Sequence, residues 1–128
     1  MDFVKPRKIF IVDDDPMLLE AFKDYLTAKA PHQVSAFLTG EECLKHLAEK
    51  PDVIILDHYL NTVQKDAANG MEILQIIKKN YPHAHVIMLS SQERYAVALQ
   101  SIQKGAEHYV IKDKDSFKKI EEMINALD

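Results

Sequence analysis

The sequence predicts one α/β domain built on an open, doubly wound, five-stranded parallel sheet. Three observations lead there. Five short apolar runs alternate with longer amphipathic stretches, a repeating strand–helix order. Three of those runs are apolar throughout, which suits parallel strands covered on both faces. The intervening stretches are long enough for helical crossovers, which parallel neighbours require.

Each element has its own signal. Residues 9–12 (IFIV) are short and β-branched, so they read as the first strand. Asp15-Pro16 then supplies an N-cap and a proline at the first helical position. The helix over 16–29 places Leu19, Phe22 and Leu26 on one face. Ala30-Pro31 ends it, and 34–37 is the second strand. Leu44, Leu47 and Ala48 mark a helix over 40–49, and 53–56 (VIIL) is the third strand. The stretch 61–69 is long for a strand-to-helix connection. Met71, Leu74 and Ile77 mark a helix over 70–80, closed by Tyr81-Pro82. Residues 86–89 form the fourth strand. Over 92–104 the pattern is weaker: Tyr95, Ala98, Leu99 and Ile102 give a narrow face, ended by Gly105. Residues 109–111 are the fifth strand. Phe117, Ile120, Ile124 and Leu127 stripe a final helix over 114–127.

Composition sets the class. The 128 residues carry 16 Lys plus Arg against 20 Asp plus Glu, a net charge of -4, and 47% are hydrophobic. That size fits one domain over 1–128, with its core about 7–127 and no output domain expected. The single Cys43 excludes an internal disulfide and suggests a reducing, cytoplasmic setting. An acidic balance argues against direct nucleic-acid binding. No apolar run reaches the roughly 20 residues of a membrane helix.

Doubly wound sheets bind ligands at the carboxyl ends of their strands. The first run is followed by Asp13-Asp14-Asp15, the third by Asp57, the fourth by Ser90-Ser91, and the last by Lys112. Each has an ordinary reading alone: a cap, a turn residue, a helix cap, a surface lysine. Together they would bring three carboxylates, a hydroxyl and an amine to one sheet edge. Two like charges about 4 Å apart repel by roughly 4 kcal/mol at an effective dielectric of 20. Asp13, Asp14 and Asp57 therefore call for a hard divalent cation, which oxygen ligands suit. A carboxylate can also attack phosphorus to give an aspartyl phosphate, aided by positioning and charge neutralisation.

On these motifs the chain resembles the receiver domains of two-component response regulators. They are Ile11-Val12-Asp13-Asp14-Asp15-Pro16, Val53-Ile54-Ile55-Leu56-Asp57, Met88-Leu89-Ser90-Ser91, and Gly105-Ala106-Glu107-His108-Tyr109-Val110-Ile111-Lys112. The resemblance implies a flavodoxin-like (βα)5 fold with strand order 2-1-3-4-5. It implies Asp57 as phosphoacceptor, with Mg2+ (or Mn2+) held by Asp13, Asp14, Asp57 and the Tyr59 carbonyl. Asp14 would bind the metal directly and Asp13 through water. Ser90 would be the switch hydroxyl, Tyr109 the switch aromatic and Lys112 the phosphate-binding lysine. The phosphoryl donor would be a sensor histidine kinase or a histidine phosphotransfer protein. Phosphorylation would alter the face made by helix 92–104, strand 107–111 and helix 114–127, controlling a downstream protein target or homodimerisation. Such a domain is a regulatory phosphoacceptor with at most slow self-dephosphorylation, not a turnover enzyme.

The pattern also departs from the family. Asp113 follows Lys112 where proline is common, which leaves the conformation of that bond open, because a cis bond there would cost roughly 3 kcal/mol. Leu60-Asn61 replaces a hydrophobic-Pro pair, and the connection to Gly70 is about five residues longer than in most receivers. That insert is either a tolerated surface loop or a lid or partner contact. Tyr59 and Gln92 beside the phosphate would hinder water and slow phosphoryl loss. The alternative function is a haloacid-dehalogenase-like phosphatase with Asp13 as nucleophile. His83 and His85 read as loop residues rather than metal ligands, and Lys78-Lys79 as a solvated helix face.

Overall fold

The computed structural model describes residues 4–60, 68–91 and 94–127. Five strands alternate with five helices: β1 (Lys8–Val12), α1 (Pro16–Lys29), β2 (Gln33–Phe37), α2 (Gly40–Lys45), β3 (Val53–Asp57), α3 (Gly70–Asn80), β4 (His85–Ser90), α4 (Tyr95–Gln103), β5 (His108–Ile111) and α5 (Ser116–Asn125). All neighbouring strands are parallel, in the order β2-β1-β3-β4-β5. Among the described residues no helix is long and apolar enough to cross a membrane.

The continuous apolar runs are explained by burial on both sheet faces. Along β1 and β3 successive side chains alternate between two cores. Phe10, Val12, Ile54 and Leu56 join Ile73, Leu74 and Ile77 of α3 on one face. Ile9, Ile11, Val53 and Ile55 join Leu19, Phe22, Leu26, Ile120 and Ile124 of α1 and α5 on the other. The Phe22 and Phe117 rings stack with centroids 4.2 Å apart, fastening α5 to α1.

The caps behave as the sequence suggests. Asp15 accepts hydrogen bonds from the Met17 and Leu18 amides, with Pro16 opening α1. Gly105 takes φ 109, a left-handed turn that a side chain would strain.

Three helices differ from expectation. The helix expected over 40–49 stops at Lys45, and Leu47–Glu49 forms a 3-10 turn. Pro51 is the reason: it disfavours helical backbone at the preceding residue, and Lys50 turns left-handed at φ 58. In α4 the expected apolar stripe faces outward. Tyr95 is 83% exposed and Leu99 and Ile102 are each 46% exposed. The helix instead buries Ser101, whose hydroxyl donates to the Val97 carbonyl, so a small residue rather than the stripe meets the sheet edge. The final helix is also shorter than 114–127, and Asp113 to Asp115 turn into it.

Candidate functional site

The site lies at the carboxyl ends of β1, β3, β4 and β5. Asp13 directly follows β1, and Asp57 is the last residue of β3. They are 1% and 3% exposed. The register Val12↔Leu56 brings the two strand ends level, so residues 44 apart in sequence become neighbours. Asp13 is fixed from both sides: its amide donates to the Phe37 carbonyl at 3.1 Å, and its Oδ1 accepts the Asp15 amide at 2.9 Å. Asp57 Oδ1 accepts the Tyr59 amide at 3.4 Å. Asp14 is half-buried. One carboxylate oxygen from each of Asp13, Asp14 and Asp57 lies within 4.8 Å of the others.

Lys112 arrives from the end of β5, its amide bonded to the Ser90 carbonyl at 2.7 Å. Its Nζ is 2.8 Å from Asp13 Oδ2 and 3.4 Å from Asp57 Oδ1. Burial alone would weaken this ammonium, but the Asp13 contact and the two carboxylate charges hold its pKa above the usual lysine range. Burial pushes Asp57 up to about 7, and the Asp13 charge adds to that against the opposing pull of Lys112. Asp13 is raised too, mainly by burial. One lysine thus does not neutralise the pocket. Asp13 Oδ2 is buried and makes no well-directed hydrogen bond, although it faces the Lys112 ammonium. Three carboxylates whose oxygens converge within 4.8 Å, served by one ammonium, form a hard-oxygen donor set that fits a divalent cation.

Ser90 is fully buried at the end of β4. Tyr109 sits half-buried on β5, packed against the α3-side core, with its hydroxyl hydrogen-bonded to the Ser90 side chain. The expected switch pair is therefore in direct contact. Tyr59 is half-buried two residues beyond Asp57. Gln92 and residues 61–67, which hold most of the insert, lie outside the described residues. The Lys112–Asp113 bond is trans, as is every described peptide bond. His85 pairs with Glu107 at 2.8 Å, and among the described residues the Asp13, Asp14 and Asp57 set is the one group arranged to hold a metal.

Sequence reasoning missed two neighbours. His58 follows Asp57, its Nδ1 buried without a hydrogen-bond partner and its ring edge-on to Tyr59 at 4.5 Å. No local pattern marks it. Gly70 lies under Asp57: a Cβ there would meet the Asp57 carbonyl oxygen at 2.2 Å, while its amide donates to the His58 carbonyl at 2.8 Å. The signal was available, since glycine is a poor residue inside the first turn of a helix.

The model for the response regulator receiver domain matches residues 9–125. Among curated proteins, the chain is 34% identical over 126 residues to "Probable C4-dicarboxylate response regulator DctR" of Bacillus subtilis, covering 97% of this chain and 52% of that protein. It is 29% identical to the chemotaxis protein CheY of Thermotoga maritima, covering 83% and 85% of the two chains. Among solved structures, the BeF3-activated DrrB receiver domain superposes with a TM-score of 0.80 at 29% identity, covering 94% and 95%. The chain spans about half the length of several curated relatives it matches.

Proposed function

The chain belongs to the response regulator receiver domain family, and from that premise we propose that Asp57 is its phosphoacceptor. The observation that supports this most is the Lys112 ammonium lying between Asp13 and Asp57, at 2.8 and 3.4 Å, at the end of the sheet. The donor is a phosphohistidine on a sensor kinase or phosphotransfer protein. An Asp57 carboxylate oxygen attacks phosphorus, the P–N bond breaks, and the departing imidazole keeps the electron pair and takes a proton. Lys112 meets the charge on the phosphoryl oxygens, and Ser90 donates a hydrogen bond to one of them. Asp13, Asp14 and Asp57, with the Tyr59 carbonyl, would hold Mg2+ (or Mn2+), which when bound neutralises the carboxylates and the phosphoryl oxygens. Asp14 would contact it directly and Asp13 through water.

Ser90 movement and the Tyr109 ring it touches transmit the change to α4, β5 and α5, where a downstream protein or a second copy binds. The outward Tyr95, Leu99 and Ile102 give that face an apolar surface to recognise. No direct nucleic-acid contact is assigned to this domain. Tyr59 shields the phosphoryl group from water, so Tyr59→Asn should speed its decay, and an unchanged rate would remove that role. The phosphatase alternative has no support in the family match.

Incubation with acetyl phosphate and Mg2+, followed by mapping of the labelled residue, tests the central assignment. Label on Asp57, abolished by Asp57→Asn, is expected. Label on Asp13 would overturn it.

A further inference from the structure

The opposite end of the sheet holds a second concavity. Four residue steps separate Val53 from Asp57, so the two ends of β3 lie about 13 Å apart. The cavity is about 470 Å3 and is walled by three segments, 5–7, 47–52 and 80–85. That volume falls in the range of small-molecule sites, about 300–1,000 Å3.

Its lining is cationic although the chain as a whole carries -4. Lys5, Arg7 and Lys50 face it, and the one lining carboxylate is Asp52. Asp52 Oδ2 is already engaged by the Lys8 amide at 2.8 Å. Arg7 is 6% exposed and its guanidinium holds the Leu127 carbonyl, so it is a fixed charge in the wall. Lys5 and Lys50 are exposed, with no ion pair to either ammonium among the described residues. The apolar surface comes from Tyr81, which is 36% exposed, and from the exposed Pro82. The loop that carries Tyr81 and His83 is tethered, because Lys78 Nζ donates to the Pro82 and Ala84 carbonyls at 2.9 and 2.8 Å.

We propose that this cavity is a binding site for a small organic phosphate with a planar apolar body, the chemistry of a nucleoside monophosphate. The two exposed lining cations, Lys5 and Lys50, outnumber the one lining carboxylate, Asp52, so the recess suits an anionic phosphate monoester. Lys5 and Lys50 take the phosphoryl oxygens, and His83 offers a further hydrogen-bonding group. The planar body lies against Tyr81 and Pro82. The walls come from three separate chain segments, which form a recess of small-molecule size rather than a peptide channel.

The test uses the full chain, 15N-labelled, titrated with AMP, adenosine or inorganic phosphate. AMP should shift the amides of 50–52 and 81–85 saturably, with Kd below roughly 1 mM. Adenosine and phosphate alone should each bind at least about tenfold more weakly. Lys5→Gln and Lys50→Asn should each weaken AMP by about fivefold; asparagine tolerates the left-handed backbone at 50, so the fold is kept. Tyr81→Ala, away from that backbone turn, should weaken AMP and adenosine together. Shifts confined to the Asp57 end, equal affinity in the Lys5→Gln/Lys50→Asn double variant, or equal binding of inorganic phosphate would overturn the proposal.

Discussion

His32 is 7% exposed, and its Nδ1 accepts the Arg7 amide at 2.9 Å. That acceptor role requires Nδ1 to be unprotonated. Burial, with the Arg7 charge behind it, holds the pKa below the ordinary 6.5. Protonation therefore favours the unfolded chain, where the imidazole binds its proton more readily. Stability from this contact is complete above about pH 6.5 and declines as the pH falls below it. Urea midpoints for the parent and His32→Asn, measured from pH 8 to 5, check this. The side-chain oxygen of asparagine still accepts a hydrogen bond but does not titrate, so the decline should flatten; parallel curves would refute the linkage. Gly70 is a second decisive residue. The atoms that a Cβ would strike are backbone, the Asp57 carbonyl and the His58 Cα, and neither can swing aside. Gly70→Ala should cost about 1–3 kcal/mol in urea unfolding and lower phosphorylation of Asp57. A change under about 0.5 kcal/mol would mean the connection shifts freely.

At the scale of elements, α1 was legible because its signals are local: the Asp15 cap, Pro16, and a stripe wide enough to define one buried face. The central strands were legible for a related reason, since apolar runs such as 53–56 have no polar side to turn outward. α4 was not. Its apolar residues are real, but periodicity states that a stripe exists and not which way it points, and a full stop such as Ser101 gives no hint that it is the buried position. The α2 break was readable in principle from Pro51, whose effect on Lys50 is local. The outward stripe of α4 yields a prediction. Leu99→Gln and Ile102→Gln should each move stability by less than about 0.5 kcal/mol, as at ordinary surface positions. Ile73→Ala, at a fully buried position of α3, should cost about 2–5 kcal/mol. Thermal or urea unfolding of the three variants decides it, and a loss above about 1 kcal/mol at Leu99 would show that the stripe is packed after all.

For the whole molecule, the parallel sheet converts separated strand ends into one pocket. That is why the carboxylates, Ser90 and Lys112 group together from the sequence, while His58 does not: the first set follows from strand direction, the second from side-chain packing. The same geometry makes the site costly to the fold. Burial first, and the neighbouring Asp13 charge second, hold Asp57 up to about 7 against the opposing pull of one partly exposed lysine. A cation that binds the folded pocket should therefore stabilise the entire domain. At a Mg2+ concentration about 100 times its Kd the gain is about 2.7 kcal/mol, or about 10 °C in Tm for a domain of this size. Asp57→Asn removes one carboxylate from the cluster. In EDTA its Tm should match or exceed that of the parent, because less like charge is buried, and the Mg2+ increment should shrink. Thermal unfolding of both chains, with EDTA and with MgCl2, measures all four values. Equal Mg2+ increments in the two chains, or a variant several degrees less stable in EDTA, would show that repulsion among these carboxylates does not limit the fold.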